Sequence, residues 1–187
     1  MKYMKGRATD KYFQKIGQNP LSWLGTAKRM KLSADVLLEH AIRQSNVSPE
    51  NPNIVDRIAH LEAYMVLTGF AFENLLKGID VAKDPNVVDA DKLNVPQWGA
   101  GKGHGISTFA GRLANLSADE IDLFKRLEEY VIWVGRYPIP KSANTFSYAA
   151  GNTLTIIKES DPDMINRLFR QFSDMLVNEW EKHDEVV

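Results

Sequence analysis

Residues 70–78 read Phe-Ala-Phe-Glu-Asn-Leu-Leu-Lys-Gly, so an acid and an amide stand inside an apolar run. Burying a carboxylate is costly unless a cation and hydrogen-bond donors meet it. If Glu73 faces the core, the best cation for it is Arg136, within the stretch Trp-Val-Gly-Arg-Tyr-Pro at residues 133–138. A bidentate bond between these two side chains would hold the ends of two helices together. We therefore predict a helical fold with a polar latch between Glu73 and Arg136.

The same stretch has a simpler interpretation. Glu73 and Lys77 lie one helical turn apart, with Asn74 beside them. They would then form a solvated ion pair worth a few tenths of a kcal/mol. The sequence leaves both interpretations open, and it favours a structural role for Glu73, Asn74 and Lys77 over a chemical one.

Hydrophobic periodicity predicts the remaining helices. Apolar residues recur at spacings of three and four in five segments, which is typical of amphipathic helices. These segments are about 20–46, 53–80, 105–114, 117–134 and 162–183. Loops with glycine and proline occupy 82–103 and 138–158. The predicted fold is an all-α, antiparallel bundle of about five helices with two long loops. Residues 1–19 would be an N-terminal arm, and residues 20–187 a single helical-bundle domain.

Three local signals refine this prediction. Gly69 stands inside the second helix, where glycine costs about 1 kcal/mol, and this predicts that a neighbouring element approaches closely. Gly78 is expected to end the same helix. Ser117 and Glu120 have the spacing of a capping box and predict the start of the fourth helix.

Composition excludes several functional classes. The 187 residues can enclose one sizeable core, and a net charge of −1 gives no overall attraction to nucleic acid or membrane. The chain has no cysteine, which excludes disulfides, thiolate metal sites and cysteine nucleophiles. His40, His60 and His183 show no metal-ligand spacing, so no metal or other cofactor is predicted. No run approaches the roughly 20 apolar residues of a membrane helix, and we expect a cytoplasmic chain without a membrane partner.

A basic, glycine-bearing loop precedes the third helix, with Lys102-Gly103-His104-Gly105 at its end. A helix N-terminus with flexible glycines can accept an anion on its free amide groups. Lys102 and His104, with Arg136, Tyr137 and Lys141, form the predicted ligand site. The alternative is that His104 only caps or packs against the start of the helix.

Three elements in this order resemble bacterial HEPN-like helical-bundle proteins over residues 55–140. They are the helix ending in Glu-Asn-Leu-Leu-Lys-Gly, the Gly-His-Gly-Ile element that opens a shorter helix, and the helix ending in Gly-Arg-Tyr-Pro. The resemblance implies an all-α bundle that often dimerises. Many HEPN proteins are metal-independent ribonucleases in toxin–antitoxin and phage-defence systems, and the resemblance implies that this chain is related to them. Those ribonucleases carry an arginine, a polar residue and then a histidine, whereas residues 137–142 after Arg136 read Tyr-Pro-Ile-Pro-Lys-Ser.

Three functions follow as expectations. The first is a non-catalytic or degenerate HEPN-like bundle, as a homodimer, that binds a nucleotide, an RNA-like anion or a protein partner. The second is a metal-independent ribonuclease in which His104 and Arg136 meet in space, because acid–base catalysis needs a charge stabiliser nearby. The third is a purely structural subunit of a defence complex, which would expose a large apolar patch.

Overall fold

The computed structural model describes residues 7–44, 53–89, 92 and 93, 104–137, 142 and 143, and 157–184. The helices are α1 (Arg7–Gly17), α2 (Pro20–Arg43), α3 (Asn53–Lys83), α4 (Ile106–Leu113), α5 (Ala118–Glu129) and α6 (Asp161–Asp184). A 3₁₀ turn follows α3 at Pro85–Val87, and α5 continues as a π-helical turn over Tyr130–Val134. No β-strand occurs in these residues, so the predicted all-α class is confirmed. None of the described helices is long and apolar enough to span a membrane.

The central element is α3, as its apolar circumference between Tyr64 and Leu76 predicts. Its Phe72 is fully buried and meets Phe124 of α5 and Phe172 of α6 edge to face, with ring centroids 5.0 and 6.4 Å apart. Edge-to-face contacts of this kind add about 0.5–1.5 kcal/mol beyond the burial of area. The core is therefore organised around one aromatic side chain of α3.

Contacts between helices give their directions. Along α3, positions 56, 74 and 78 meet positions 40, 30 and 23 of α2, so these two helices are antiparallel. Helix α5 is also antiparallel to α3, because Phe124 meets Phe72 whereas Val131 meets Gly69. Helix α6 runs parallel to α3, with residues 172 and 176 beside residues 72 and 78.

The predicted arm contains a helix that is tied to the bundle. Helix α1 occupies Arg7–Gly17, where the sequence predicted only an N-terminal arm. The indole Nε1 of Trp23 donates a hydrogen bond to the carbonyl oxygen of Gly17 at 2.7 Å. The side-chain amide of Gln18 donates to the carbonyl oxygen of Val88 at 2.9 Å. These bonds attach the end of α1 to α2 and to the segment after α3.

Two glycines of α3 mark close packing between helices. A Cβ atom on Gly69 would lie 2.5 Å from Val131 Cγ2, which confirms the predicted close approach at this position. The prediction that Gly78 ends the helix is wrong, because α3 continues to Lys83. A Cβ atom on Gly78 would lie 2.6 Å from Leu176 Cδ1 and 2.8 Å from Trp23 Cβ. Gly78 is thus required by packing against α2 and α6 rather than by a helix end.

The predicted capping box at the start of α5 is confirmed. The hydroxyl of Ser117 accepts from the backbone N–H of Glu120, and the Glu120 carboxylate accepts from the backbone N–H of Ser117. Burial tends to raise the pKa of Glu120, but the N–H of Ser117 and the guanidinium of Arg167 outweigh it and lower the pKa. This carboxylate therefore joins the start of α5 to α6.

A buried bond between an arginine and a carboxylate does hold two helices together, but at other residues than predicted. The guanidinium of Arg126 on α5 donates to both oxygens of Asp161 at 2.7 and 2.8 Å. The side chains are only 10% and 1% exposed. Asp122 also accepts from Arg126, and a hydrogen bond from Lys158 lowers the pKa of Asp122. We call Arg126 and Asp161 the buried latch.

Candidate functional site

Glu73 lies at the centre of a small polar cluster on α3. Its carboxylate accepts from Lys77 Nζ at 2.5 Å, and its second oxygen lies 2.9 Å from His104 Nδ1. The side chains of Glu73 and Lys77 are 11% and 12% exposed. The ion pair of the simpler interpretation therefore forms, but it is shielded from solvent rather than solvated. We call Glu73, Lys77 and His104 the His104 cluster.

His104 stands in the turn immediately before α4, and its side chain is 35% exposed. A carboxylate beside Nδ1 favours the tautomer in which Nδ1 carries the proton and donates to Glu73, which leaves the lone pair on Nε2. Nε2 makes no hydrogen bond to another described residue. The cluster thus presents one oriented imidazole whose second nitrogen is available to a ligand.

The N-terminus of α4 already holds a carboxylate. Glu128 of α5 accepts from the backbone N–H of Ser107 at 2.9 Å and from its hydroxyl at 2.7 Å. An acid at this position is favoured by the free amide groups and the helix dipole. A carboxylate of the protein itself therefore lies where the sequence predicted a bound anion. Nothing in the sequence indicates this role, because Glu128 fits the pattern of a solvent-exposed helix face. Glu128 is also 21 residues from Ser107 in the chain.

Asn74 has a structural place beside the cluster. Its side-chain amide donates to the carbonyl oxygen of Phe70 at 2.8 Å and lies 3.6 Å from the sulfur of Met30 on α2. The amide hydrogen bond satisfies a polar group in the interface between α2 and α3. Asn74 is thus directed towards α2, whereas Glu73 meets the turn before α4.

The predicted pairing of Glu73 with Arg136 is wrong. Arg136 is exposed, and its guanidinium donates to the carbonyl oxygen of Ile132 at 2.5 Å and lies 5.7 Å from the ring centre of Tyr137. It forms no ion pair with an acid in the part of the chain that the structure describes. The pairing fails because Lys77, on the same helix, already satisfies Glu73 without any constraint from the register of α5.

Arg136 and Tyr137 line a groove of about 680 Å³ against the first half of α3, which also includes Glu62 and Val66. A Cβ atom on the adjacent Gly135 would lie 2.1 Å from Val66 Cγ2, so this end of α5 rests directly on Val66. Val66 and Glu73 are seven residues apart, which is nearly two full turns and about 10 Å along the helix. The α3 residues that contact the two candidate positions, Val66 and Glu73, therefore lie on one side of α3, about 10 Å apart along its axis.

Other predicted positions divide into two groups. Lys102 and Lys141 lie outside the described residues. Trp133, which flanks Arg136, is only 5% exposed and donates its indole N–H to Glu129. This tryptophan belongs to the core, while Tyr137 is 54% exposed and remains available to a ligand.

Comparison with known proteins adds no identification. No family model, curated protein or solved structure that was compared with this chain matches it.

Proposed function

We propose that this chain is a non-catalytic, HEPN-like bundle that binds single-stranded RNA or a similar polyanion along one side of α3. The binding positions are the His104 cluster at one end and Arg136 with Tyr137 at the other. The observation that carries the proposal is the Glu73–His104 bond, because it holds a partly exposed imidazole in one orientation and leaves the lone pair of Nε2 for a hydrogen bond from a ligand. The homodimer and the defence setting implied by the resemblance belong to the same proposal.

The spacing of the two positions favours a strand over a mononucleotide. Successive phosphates along a stacked strand rise by about 3.4 Å, so about three nucleotides span the roughly 10 Å that separate Val66 and Glu73 along α3. Arg136 can pair with a phosphate, and the exposed ring of Tyr137 offers a face on which a base can stack. Glu62 lies in the same groove, and Glu73 and Glu128 lie at the His104 end. These carboxylates oppose anion binding, so we expect modest affinity, with Kd about 1–100 μM.

The first prediction concerns RNA binding. Replacing Arg136 by alanine should weaken binding of a fluorescent ten-nucleotide RNA about tenfold and flatten its salt dependence by about one phosphate contact. His104→Gln should weaken the same binding severalfold. Fluorescence anisotropy over a range of salt concentrations measures both effects. Circular dichroism of each variant checks that the fold is retained.

Arg170→Ala is the matched control, because Arg170 is exposed on α6 and belongs to neither position. It should leave the RNA affinity unchanged. A single nucleotide should bind more weakly than the ten-nucleotide strand. Equal losses in Arg170→Ala and Arg136→Ala, or no RNA binding at all, would refute the proposal.

A metal-independent ribonuclease is the second candidate, and the Glu73–His104 bond is the observation that favours it. Acid–base catalysis needs the acting groups within about 3 Å of the reacting atoms. Glu73 and Val66, the α3 residues that His104 and the end of α5 contact, lie about two helical turns apart, so the imidazole and the guanidinium are anchored at separate positions. We therefore expect no cleavage of labelled RNA by the purified chain in EDTA. Cleavage of RNA by the unmodified chain that is lost in His104→Ala would show instead that the protein is a ribonuclease.

A further inference from the structure

A second group of histidines meets where α2 ends and α3 begins. His40 lies in the last turn of α2, Asp56 in the first turn of α3, and His60 one turn further along α3. His40 Nε2 lies 3.1 Å from Asp56 Oδ2, and His60 Nδ1 lies 3.5 Å from Asp56 Oδ1. The two imidazole rings stack with centroids 4.1 Å apart. We propose that His40, Asp56 and His60 bind a divalent transition-metal ion of the zinc class.

The distances fit such an ion. One ligand atom from each of the three side chains lies within 4.8 Å of the others. Zinc holds nitrogen and oxygen ligands at about 2.0–2.1 Å in a tetrahedron, which places neighbouring ligand atoms about 3.3 Å apart. The His40–Asp56 separation of 3.1 Å is close to this value, and the ring of His60 stacks against that of His40 at the same place. In the metal-free protein His40 and Asp56 share a hydrogen bond, and binding of the metal ion would displace the proton of that bond.

The surroundings also suit a ligand set. His60 Nδ1 lies 2.7 Å from the backbone carbonyl oxygen of Asp56. A carbonyl acceptor fixes the protonated nitrogen of a metal-binding histidine and leaves Nε2 for the ion. The side chains of His40, Asp56 and His60 are 45%, 48% and 25% exposed, which leaves room for water in the remaining coordination positions. The adjacent cation Arg43 is already paired with Glu39.

Two imidazoles and one carboxylate select the class of metal. Imidazole nitrogen suits Zn²⁺, Co²⁺ and Ni²⁺, whereas Mg²⁺ and Ca²⁺ prefer sets made of oxygen alone. The ion would join the last turn of α2 to the first turns of α3, two elements that the chain connects through residues 44–52. Spacing along the sequence could not predict this site, because His40 comes from a different helix, 16 residues before Asp56.

The test uses the untagged full chain after removal of metal with EDTA. Competition with a chromogenic chelator measures Zn²⁺ affinity and stoichiometry, and visible absorption of the Co²⁺ form reports nitrogen and oxygen coordination. We expect one Zn²⁺ per chain, no competition from Mg²⁺, and a rise in melting temperature on addition of Zn²⁺. His40→Gln, Asp56→Asn and His60→Gln should each lower the affinity at least tenfold.

His183→Gln is the control, since it removes one histidine near the end of α6 that belongs to neither proposed site, and it should bind Zn²⁺ as the unmodified chain does. Melting curves of the metal-free variants separate loss of ligands from loss of fold. Zn²⁺ affinity that survives in all three ligand variants, or that falls equally in His183→Gln, would overturn the proposal. The RNA measurements on Arg136→Ala are independent of this outcome.

Discussion

Replacing Asp161 by alanine should lower the free energy of unfolding by about 3–5 kcal/mol, because it leaves the buried guanidinium of Arg126 without its bidentate partner. Asp161 is 1% exposed and accepts both hydrogen bonds from Arg126. It also accepts from the backbone N–H of Lys158 at 2.6 Å, so the substitution frees a second donor. Asp122 remains close to Arg126, but it is 43% exposed and contacts only Nε.

The control for this prediction is Asp163→Ala. Asp163 carries the same charge in the same first turn of α6, but it is exposed. Its loss should cost at most about 1 kcal/mol, through the helix dipole. Urea unfolding followed by circular dichroism measures both variants. Equal losses in Asp161→Ala and Asp163→Ala would show that the buried latch contributes no more than a surface charge.

A double-mutant cycle tests whether the loss comes from the unpaired charge. Arg126→Met removes that charge and fills similar space. The double variant with Asp161→Ala should therefore lose clearly less than the sum of the two single variants, with a coupling energy of about 1–3 kcal/mol. Additive losses would mean that the two side chains stabilise the fold independently.

The latch shows what the sequence could predict about polar groups in the core. The rule that a buried carboxylate needs a cation applies both to Glu73, which meets Lys77, and to Asp161, which meets Arg126. The sequence predicted the need at Glu73 and left two partners open, Lys77 on the same helix and Arg136 on another, of which Lys77 is the one that pairs with it. Identifying Arg126 as the partner of Asp161 requires the register between helices, which periodicity in a single segment does not contain.

The positions of the helices, in contrast, could be predicted, because they depend on local sequence. Periodicity and caps act within one or two turns, so α2, α5 and α6 begin within about one residue of their predicted starts. Contacts across helices were not predictable: they include Glu128 with Ser107 and His40 with Asp56. Both pairs combine residues that look like ordinary surface positions when each helix is considered alone.

Gly69→Ala should lower the free energy of unfolding by about 2 kcal/mol, although alanine is favoured over glycine in an isolated helix by about 1 kcal/mol. The added methyl would lie 2.5 Å from Val131 Cγ2 and 3.0 Å from the carbonyl oxygen of Leu127. The valine can move only against the core, and the carbonyl belongs to the backbone of α5 just before the π-helical turn. The steric cost therefore exceeds the gain in helix propensity.

Gly111→Ala is the matched control, since Gly111 is also inside a helix but is exposed, with no atom within 4 Å of the position of its Cβ. It should gain about 0.5–1 kcal/mol. Urea unfolding of Gly111→Ala therefore measures the effect of helix propensity alone. Urea unfolding of Gly69→Ala measures helix propensity together with packing. Stabilisation of both by the same amount would show that α5 does not approach α3 closely at Gly69. Because the same end of α5 carries Arg136, a displacement there should also weaken RNA binding in Gly69→Ala and leave it unchanged in Gly111→Ala.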